Sequence, residues 1–131
     1  STRIGLTEVN MVRCGGARHL MRILPQGVVR QMYFTAEMLG AEDLYRFGAI
    51  DALREAGTEG QAALEIARKI ATKSPLAVKT AKRSLNTCEP LQINEGYRAE
   101  QEFTAQLSST RDAQEAAAAF LEKRAPRWTG N

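Results

Sequence analysis

The feature that most constrains the fold is how little of the chain can form strands. Only residues 1–12, which include Gly5, and residues 49–53 have the pattern of short extended segments, whereas most of the remaining chain carries apolar residues at helical spacing. Two short strands do not make a sheet that is stable alone. The sequence therefore predicts a mainly helical structure with two short strands, an unusual content for a complete domain of 131 residues.

Four helices are predicted after residue 58 from capping signals and apolar spacing. The signals at their starts are Thr58 with Gln61, Ser74 with Pro75, and Ser109 with Asp112. The third helix runs from about residue 91 to 107, and the alanine-rich fourth ends with Arg124, before Pro126. Because small side chains allow close approach, these alanine-rich faces favour docking against a surface that is already built.

Three shorter helices are predicted in the first half of the chain. One begins after Gly15 and Gly16 and ends at Pro25 and Gly27. The second covers residues 28–34, and the third begins at residues 40–43 and ends at Gly48. The first half is therefore expected to combine short helices with the two short strands.

Composition and charge exclude several classes of protein. A net charge of +3 is mild, and the 6% of aromatic residues do not interleave with basic ones, so a nucleic-acid surface is not expected. No apolar run reaches the roughly 20 residues of a membrane helix, and no signal-peptide core is present. Cys14 and Cys88, with one histidine, are too few for a zinc site. We expect a cytoplasmic protein with reduced thiols, no metal and no membrane contact.

No short motif typical of a catalytic or nucleotide-binding site occurs in the sequence. The only histidine, His19, lies just inside a helix start, where a structural role is more common than a catalytic one. The pair Gly15–Gly16 either offers free backbone amides to an anion or a water molecule, or simply forms a tight turn. From these features alone, both interpretations stay open.

Several segments, taken in order, resemble a known family. They are TEV (residues 7–9) before a glycine-rich turn, YFTAE (33–37), GAEDLYRFGAI (40–50), IATKSPLA (70–77), AKRSLN (81–86) and AFLEKRAP (119–126). This order is similar to the C-terminal half of the enoyl-CoA hydratase/isomerase, or crotonase, superfamily. The resemblance implies the mainly helical C-terminal part of an α/β crotonase (ClpP-like) fold. It also implies that the N-terminal half of the same fold, with its oxyanion-hole amides and first catalytic glutamate, is absent from this sequence.

The resemblance also implies site residues. Glu8 matches the second catalytic glutamate of the hydratases, which holds and helps to activate water. Gly15 matches only as a substitute for the family glycine whose amide contacts that water, because the turn is about three residues shorter than in the family. Phe120 and Lys123 match the tail residues that reach the coenzyme A of a neighbouring subunit, near its adenine and 3′-phosphate. Thr7 stands where the family has proline.

The resemblance divides the chain into two parts and leaves two alternative functions to consider. Residues 1–57 would end the crotonase core and carry Glu8, and residues 58–131 would form a helical trimerisation and CoA-lid region. We expect part of an enzyme that hydrates trans-2-enoyl-CoA, with coenzyme A as part of the substrate and no other cofactor. Its partners would be the N-terminal half and other copies, in a homotrimer or hexamer, and it would be inactive without that half. The alternative is a non-catalytic oligomerisation or interaction module of crotonase origin.

Overall fold

The computed structural model describes residues 2–131 and divides into two compact units, one ending at Ala62 and the other covering Ala63–Asn131. Most of the described chain is helical. The elements, in chain order, are β1 (Arg3–Gly5), a 3-10 helix (Glu8–Met11), α1 (Ala17–Leu20), α2 (Gln26–Thr35), β2 (Met38–Gly40), α3 (Ala41–Arg46), α4 (Glu59–Ala71), α5 (Pro75–Cys88), α6 (Ile93–Ser108) and α7 (Arg111–Leu121).

The first unit has an apolar core beneath a two-stranded sheet. Strands β1 and β2 pair antiparallel, with Ile4 opposite Leu39. The buried core residues are Leu6, Leu24, Val29, Met32 and Leu44. Burial of these side chains holds the short helices α1, α2 and α3 around the strands, because elements this short are not stable by themselves.

The second unit contains helices whose buried positions are largely polar. Among its described residues, the buried ones include Ser74, Thr80, Ser84 and Asp112, and the buried hydrophobic residue is Ala119. Helix α5 begins as predicted, with the Ser74 hydroxyl accepting a hydrogen bond from the Ala77 amide at 3.2 Å and with Pro75 at the first helical position. The largest helix contact in this unit is between α5 and α6.

The predicted strands are only partly correct. The N-terminal strand ends at Gly5 instead of residue 12, because the Asn10 amide bonds locally to the Thr7 carbonyl at 3.0 Å and starts a 3-10 turn. The strand predicted at residues 49–53 is wrong. The Ala49 amide donates back to the Leu44 carbonyl at 2.8 Å to close α3, so it is not available for a strand ladder. The second strand is β2 instead.

Three predicted helix boundaries also need correction. Gly27 lies inside α2, because Pro25 precedes that helix and its carbonyl accepts from the Val29 amide at 3.1 Å. Thr110 caps α7 in place of Ser109, since the Thr110 hydroxyl accepts from the Ala113 amide at 3.2 Å. Helix α7 ends at Leu121, three residues before the predicted end, because the chain turns into a left-handed conformation directly afterwards. None of the helices described between residues 2 and 131 has the length and apolar character needed to cross a membrane.

Candidate active site

Glu8 opens the 3-10 helix of the first unit, in a turn that is closed by backbone hydrogen bonds. The Arg13 amide donates to the Glu8 carbonyl at 3.0 Å, and the Val12 amide donates to the Val9 carbonyl at 3.1 Å. Val12 has a φ of 56°, a conformation that is rare for a β-branched residue, and its side chain is 97% exposed. The short link between Glu8 and the glycine pair is therefore a compact, strained turn, of the kind that concentrates at functional sites.

The Glu8 carboxylate contains an unpaired buried oxygen. Its Oε2 atom is inaccessible to solvent and has no hydrogen-bond partner among the residues that the structure describes. Buried polar atoms in folded proteins nearly always have a partner, so an exception calls for an explanation. The lone pairs of this oxygen are not engaged by any described residue, so the carboxylate still has capacity to accept a hydrogen bond.

Gly16 allows the backbone to pass close to this carboxylate. Its φ is 77°, and a Cβ atom at this position would lie 2.8 Å from Leu6 Cδ2 and 4.0 Å from Glu8 Oε1. A side chain here would collide with a core residue and require a left-handed conformation that glycine adopts without strain. Gly15 has no such requirement, since nothing lies within 4 Å of its Cβ position. The glycine pair therefore combines one sterically required residue with one that is not.

The Gly15 amide is already occupied. It donates a hydrogen bond of 2.8 Å to the Tyr33 hydroxyl, which α2 presents next to the buried Met32. The sequence predicted that this amide contacts the substrate or its water, and that role stays a prediction. What the structure adds is Tyr33, which the sequence analysis did not select as a site residue. Its hydroxyl lies between α2 and the turn, a contact across 18 residues that no local pattern reveals.

The surroundings of Tyr33 keep its hydroxyl protonated. The Gly15 amide lowers the pKa of the Tyr33 phenol, but the hydrogen bond to the Cys14 side chain, partial burial and the negative charge of Glu8 raise it, and the net pKa is raised. The phenol is therefore a hydrogen-bond donor at neutral pH.

His19, the histidine considered in the sequence, is exposed, and its backbone amide donates to the Gly16 carbonyl at 3.1 Å within the turn.

Phe120 and Lys123 lie together at the end of α7, in the second unit. Phe120 is 83% exposed, and Lys123 is also exposed. Lys123 has a φ of 54°, and hydrogen bonds from the Lys123 amide to the Phe120 carbonyl and from the Arg124 amide to the Ala119 carbonyl form a helix C-cap that usually contains glycine. Lysine therefore occupies this position at a cost in backbone strain.

An ion pair supports this turn. Arg124 donates to both carboxylate oxygens of Glu115, at 2.6 and 3.1 Å, and its Nε donates to Glu122 at 2.5 Å. The Arg124 side chain, followed by the Arg127 amide, lowers the pKa of Glu115 to about 2. The same contacts, with Glu115 first, raise the pKa of Arg124 above its ordinary value. The ion pair thus fixes the backbone that follows Lys123.

The C-terminal segment is fastened to the second unit by the buried side chain of Asp112. This carboxylate accepts hydrogen bonds from the Ser74 hydroxyl at 2.5 Å, from the amide and hydroxyl of Thr129 at 2.8 and 3.0 Å, and from the Gly130 amide at 3.2 Å. These donors, with Ser74 first, lower the pKa of Asp112. Trp128 adds a bond of 2.8 Å from its indole Nε1 to the Thr72 carbonyl. We call this set of contacts the Asp112 clamp.

Two concave surfaces of the second unit are lined by residues other than the predicted tail residues. One open groove, of about 440 Å³, is lined by Ser84, Leu85, Asn86, Cys88, Glu89 and Glu100, and a smaller one of about 130 Å³ lies beside the Asp112 clamp. Neither includes Phe120 or Lys123.

Over residues 2–131 we find no group of three or more His, Cys, Asp or Glu side chains that could hold a metal ion.

Comparison with known proteins identifies the family. The model of the enoyl-CoA hydratase/isomerase family matches residues 1–131. A curated hydrolase of Mycobacterium tuberculosis, whose name gives a methyl-dioxo-hexahydroindene-carboxyl-CoA as its substrate, is 37% identical over 119 residues, covering 91% of this chain and 48% of that protein. A short-chain-enoyl-CoA hydratase of Clostridium acetobutylicum is 34% identical over 127 residues, covering 95% and 49%.

The solved structures agree with this assignment. An enoyl-CoA hydratase from Mycobacterium marinum superposes with a TM-score of 0.86 at 29% identity, covering 99% of this chain and 53% of that one. The chain thus spans about half the length of the relatives that it matches, which confirms the predicted resemblance and the crotonase fold class. The chain belongs to the enoyl-CoA hydratase/isomerase (crotonase) family.

Proposed function

We propose that this chain supplies the second catalytic carboxylate, Glu8, of an enzyme that acts on acyl-CoA thioesters, and that the reaction is the hydration of a trans-2-enoyl-CoA. The observation that carries the proposal is the buried Glu8 Oε2, which lacks a hydrogen-bond partner among the described residues. A positioned general base needs a lone pair that is not already engaged, and such a group contributes about 100- to 10,000-fold to the rate.

The proposed reaction assigns Glu8 one defined step. Glu8 takes a proton from a water molecule as the water oxygen bonds to the β carbon. The electron pair of the double bond moves towards the thioester carbonyl, and the protonated Glu8 then gives its proton to the α carbon, which restores the carboxylate. The charge that develops on the carbonyl oxygen requires preorganised backbone donors. We assign these donors to the N-terminal half of the fold and therefore propose that this chain is inactive without that half.

A second reaction is favoured by one comparison. The 37% identical relative from Mycobacterium tuberculosis is named a hydrolase of a bicyclic diketone carried as a CoA thioester, not a hydratase. A carboxylate that activates water serves either reaction, because the water attacks a β carbon in hydration and a carbonyl carbon in hydrolysis. Product analysis separates the two reactions, since hydration adds a hydroxyl group at the β carbon, whereas hydrolysis at a carbonyl carbon produces a new carboxylate.

The proposed partners of the chain are a CoA substrate, the N-terminal half and further copies of the same protein. Helix α4 supports such an assembly, because Ile66 and Ile70 are 44% and 49% exposed and lie one turn apart on the same face of the helix. Apolar side chains exposed in this way mark surfaces that another protein covers. We propose a homotrimer or hexamer in the cytoplasm, and no nucleic acid or membrane as partner.

Phe120 and Lys123 are proposed to bind coenzyme A. Both are exposed at one helix end, where an aromatic ring can contact an adenine and a flexible ammonium group can meet a phosphate. The strained conformation of Lys123 supports the proposal, since strain is retained where a conformation serves a function.

The first experiment compares Glu8→Gln with Glu55→Gln in the complete enzyme that contains both halves of the fold. Glu55 is an exposed acid of the same unit, so its substitution controls for the loss of one negative charge. With crotonyl-CoA as substrate, we expect Glu8→Gln to lower the hydration rate by about 100- to 10,000-fold, and Glu55→Gln to leave it unchanged. Full activity of Glu8→Gln contradicts the role of Glu8, and a folded wild-type enzyme without activity on any acyl-CoA favours the non-catalytic module.

The second experiment measures binding of coenzyme A and of 3′-dephospho-coenzyme A to Lys123→Gly in the complete protein. Glycine relieves the left-handed strain and should raise stability by about 0.5–1 kcal/mol, so that weaker binding cannot be attributed to unfolding. We expect binding of coenzyme A to weaken more than that of the dephosphorylated ligand. An equal loss for both ligands contradicts a contact with the 3′-phosphate.

A further inference from the structure

The contact between Tyr33 and the Gly15 amide changes what the turn can offer to a substrate. In the first unit, this amide donates to the Tyr33 hydroxyl at 2.8 Å, so a water molecule would have to compete with Tyr33 for it. The hydroxyl that accepts this bond still has its own proton to donate. The phenol of Tyr33, polarised by the amide behind it, is therefore a hydrogen-bond donor next to the turn.

Glu8 lies in the same cluster. Its Oε1 atom is 4.0 Å from the Cβ position of Gly16, the residue next to the amide that Tyr33 occupies, and its Oε2 atom is buried without a partner among the described residues. The charge of Glu8 also contributes to raising the pKa of Tyr33, which keeps the phenol protonated. A protonated donor and an unpaired acceptor thus flank the strained turn.

We propose that the Tyr33 hydroxyl is a second catalytic group of the Glu8 site, which donates a hydrogen bond to the water molecule that Glu8 deprotonates. The water oxygen would accept from Tyr33 while one of its protons points to the Glu8 carboxylate. In this arrangement the Gly15 amide acts on the water indirectly, because it donates to the Tyr33 hydroxyl and that hydroxyl donates to the water. The proposal deepens the function proposed above and rests on it.

Cys14 would be the partner of the same proton when no water is bound. Its exposed side chain is close enough to the Tyr33 hydroxyl to raise the pKa of Tyr33. A thiol is a weak acceptor, so a water oxygen beside a carboxylate competes with it successfully. Donation to the water then exchanges one hydrogen bond for another and leaves no polar group unpaired.

The test compares Tyr33→Phe with Tyr45→Phe in the complete enzyme. Phenylalanine keeps the ring and removes the hydroxyl, and Tyr45 is a half-exposed tyrosine of α3 in the same unit. For crotonyl-CoA we expect kcat of Tyr33→Phe to fall about 10- to 100-fold, with KM changed less than about threefold and the melting temperature nearly unchanged. Tyr45→Phe should match the wild type.

Each other outcome has a defined meaning. Wild-type kcat in Tyr33→Phe, together with an inactive Glu8→Gln, overturns the role of Tyr33 and leaves the proposed function intact. A fall in activity that only follows the folded fraction of Tyr33→Phe also overturns it, since the hydroxyl would then be structural. Wild-type activity in both variants contradicts the proposed function itself.

Discussion

The two units of this chain are stabilised in different ways. In the unit that ends at Ala62, five large apolar side chains are buried together, and Val29 and Met32 are each only 1% exposed. In the unit of Ala63–Asn131, the buried side chains that the structure describes are mainly polar. One of them, the Asp112 carboxylate, accepts hydrogen bonds from the Ser74 hydroxyl and from the C-terminal segment.

This difference indicates what each unit does with its apolar side chains. An apolar core can position a turn such as the one that carries Glu8, because close packing leaves little freedom. A unit with a polar interior and many exposed apolar residues, such as Ile93, Phe120 and Leu121, retains its apolar surface for contacts outside itself. This difference agrees with the functions proposed above, in which Glu8 of the first unit carries the chemistry and the second unit serves assembly and coenzyme A binding.

The largest expected effect on stability comes from removing a core side chain of the first unit. Met32→Ala should lower the free energy of unfolding by about 2–5 kcal/mol, because it leaves a cavity in a packed interior. Met11→Ala, at a position that is 70% exposed, is the matched control and should change it by less than about 0.5 kcal/mol. Urea unfolding of the complete protein gives both values. Similar losses in the two variants would mean that the first unit does not depend on its apolar core.

A smaller effect is expected at the polar interior of the second unit. Ser74→Ala removes an N-cap and a donor to Asp112, whereas Thr110→Ala removes an N-cap whose hydroxyl donates to the Leu107 carbonyl instead. N-cap loss costs about 1 kcal/mol, and the lost donor adds to this for Ser74. Urea unfolding should therefore show the larger destabilisation for Ser74→Ala. Equal values would indicate that the Asp112 clamp contributes little.

The smallest expected effect is a pH dependence in the second unit. Arg124 holds the pKa of Glu115 at about 2, below the ordinary 4.5. Because the folded pKa is depressed, the stabilisation is present above about pH 4.5 and is lost as the pH falls towards 2. The difference in urea midpoint between the wild type and Glu115→Gln should therefore shrink in this range. Glu65→Gln, at an exposed position, should show no such trend. A constant difference for Glu115→Gln would contradict the assigned ion pair.

Local signals in the sequence predicted much of the fold. The structure confirms the Ser74–Pro75 start of α5 and the role of Gly48 in the turn that follows α3. The family match confirms the order of motifs. These features depend on residues close together in the chain, or on a pattern of types that a family shares. Cap chemistry and glycine geometry act within a few residues, so they can be inferred without the structure.

The features that the sequence did not predict depend on long-range contacts. Residues 49–53 were predicted to form a strand, but the Ala49 amide is used to close α3. Tyr33 meets Gly15 across 18 residues, and the Asp112 side chain meets Thr129 across 17, so neither partner can be identified from local spacing. Asp112 even fits a capping box with Ser109 in sequence, although its carboxylate is used by the clamp.

The most direct test of the division between the two units is a kinetic comparison of Glu8→Gln and Lys123→Gly in the complete enzyme, over a range of crotonyl-CoA concentrations. The account predicts that Glu8→Gln lowers kcat by about 100-fold or more with little change in KM. It predicts that Lys123→Gly raises KM with little change in kcat. The opposite pattern, or an equal loss of kcat in both variants, would contradict the assignment of chemistry to the first unit and coenzyme A binding to the second.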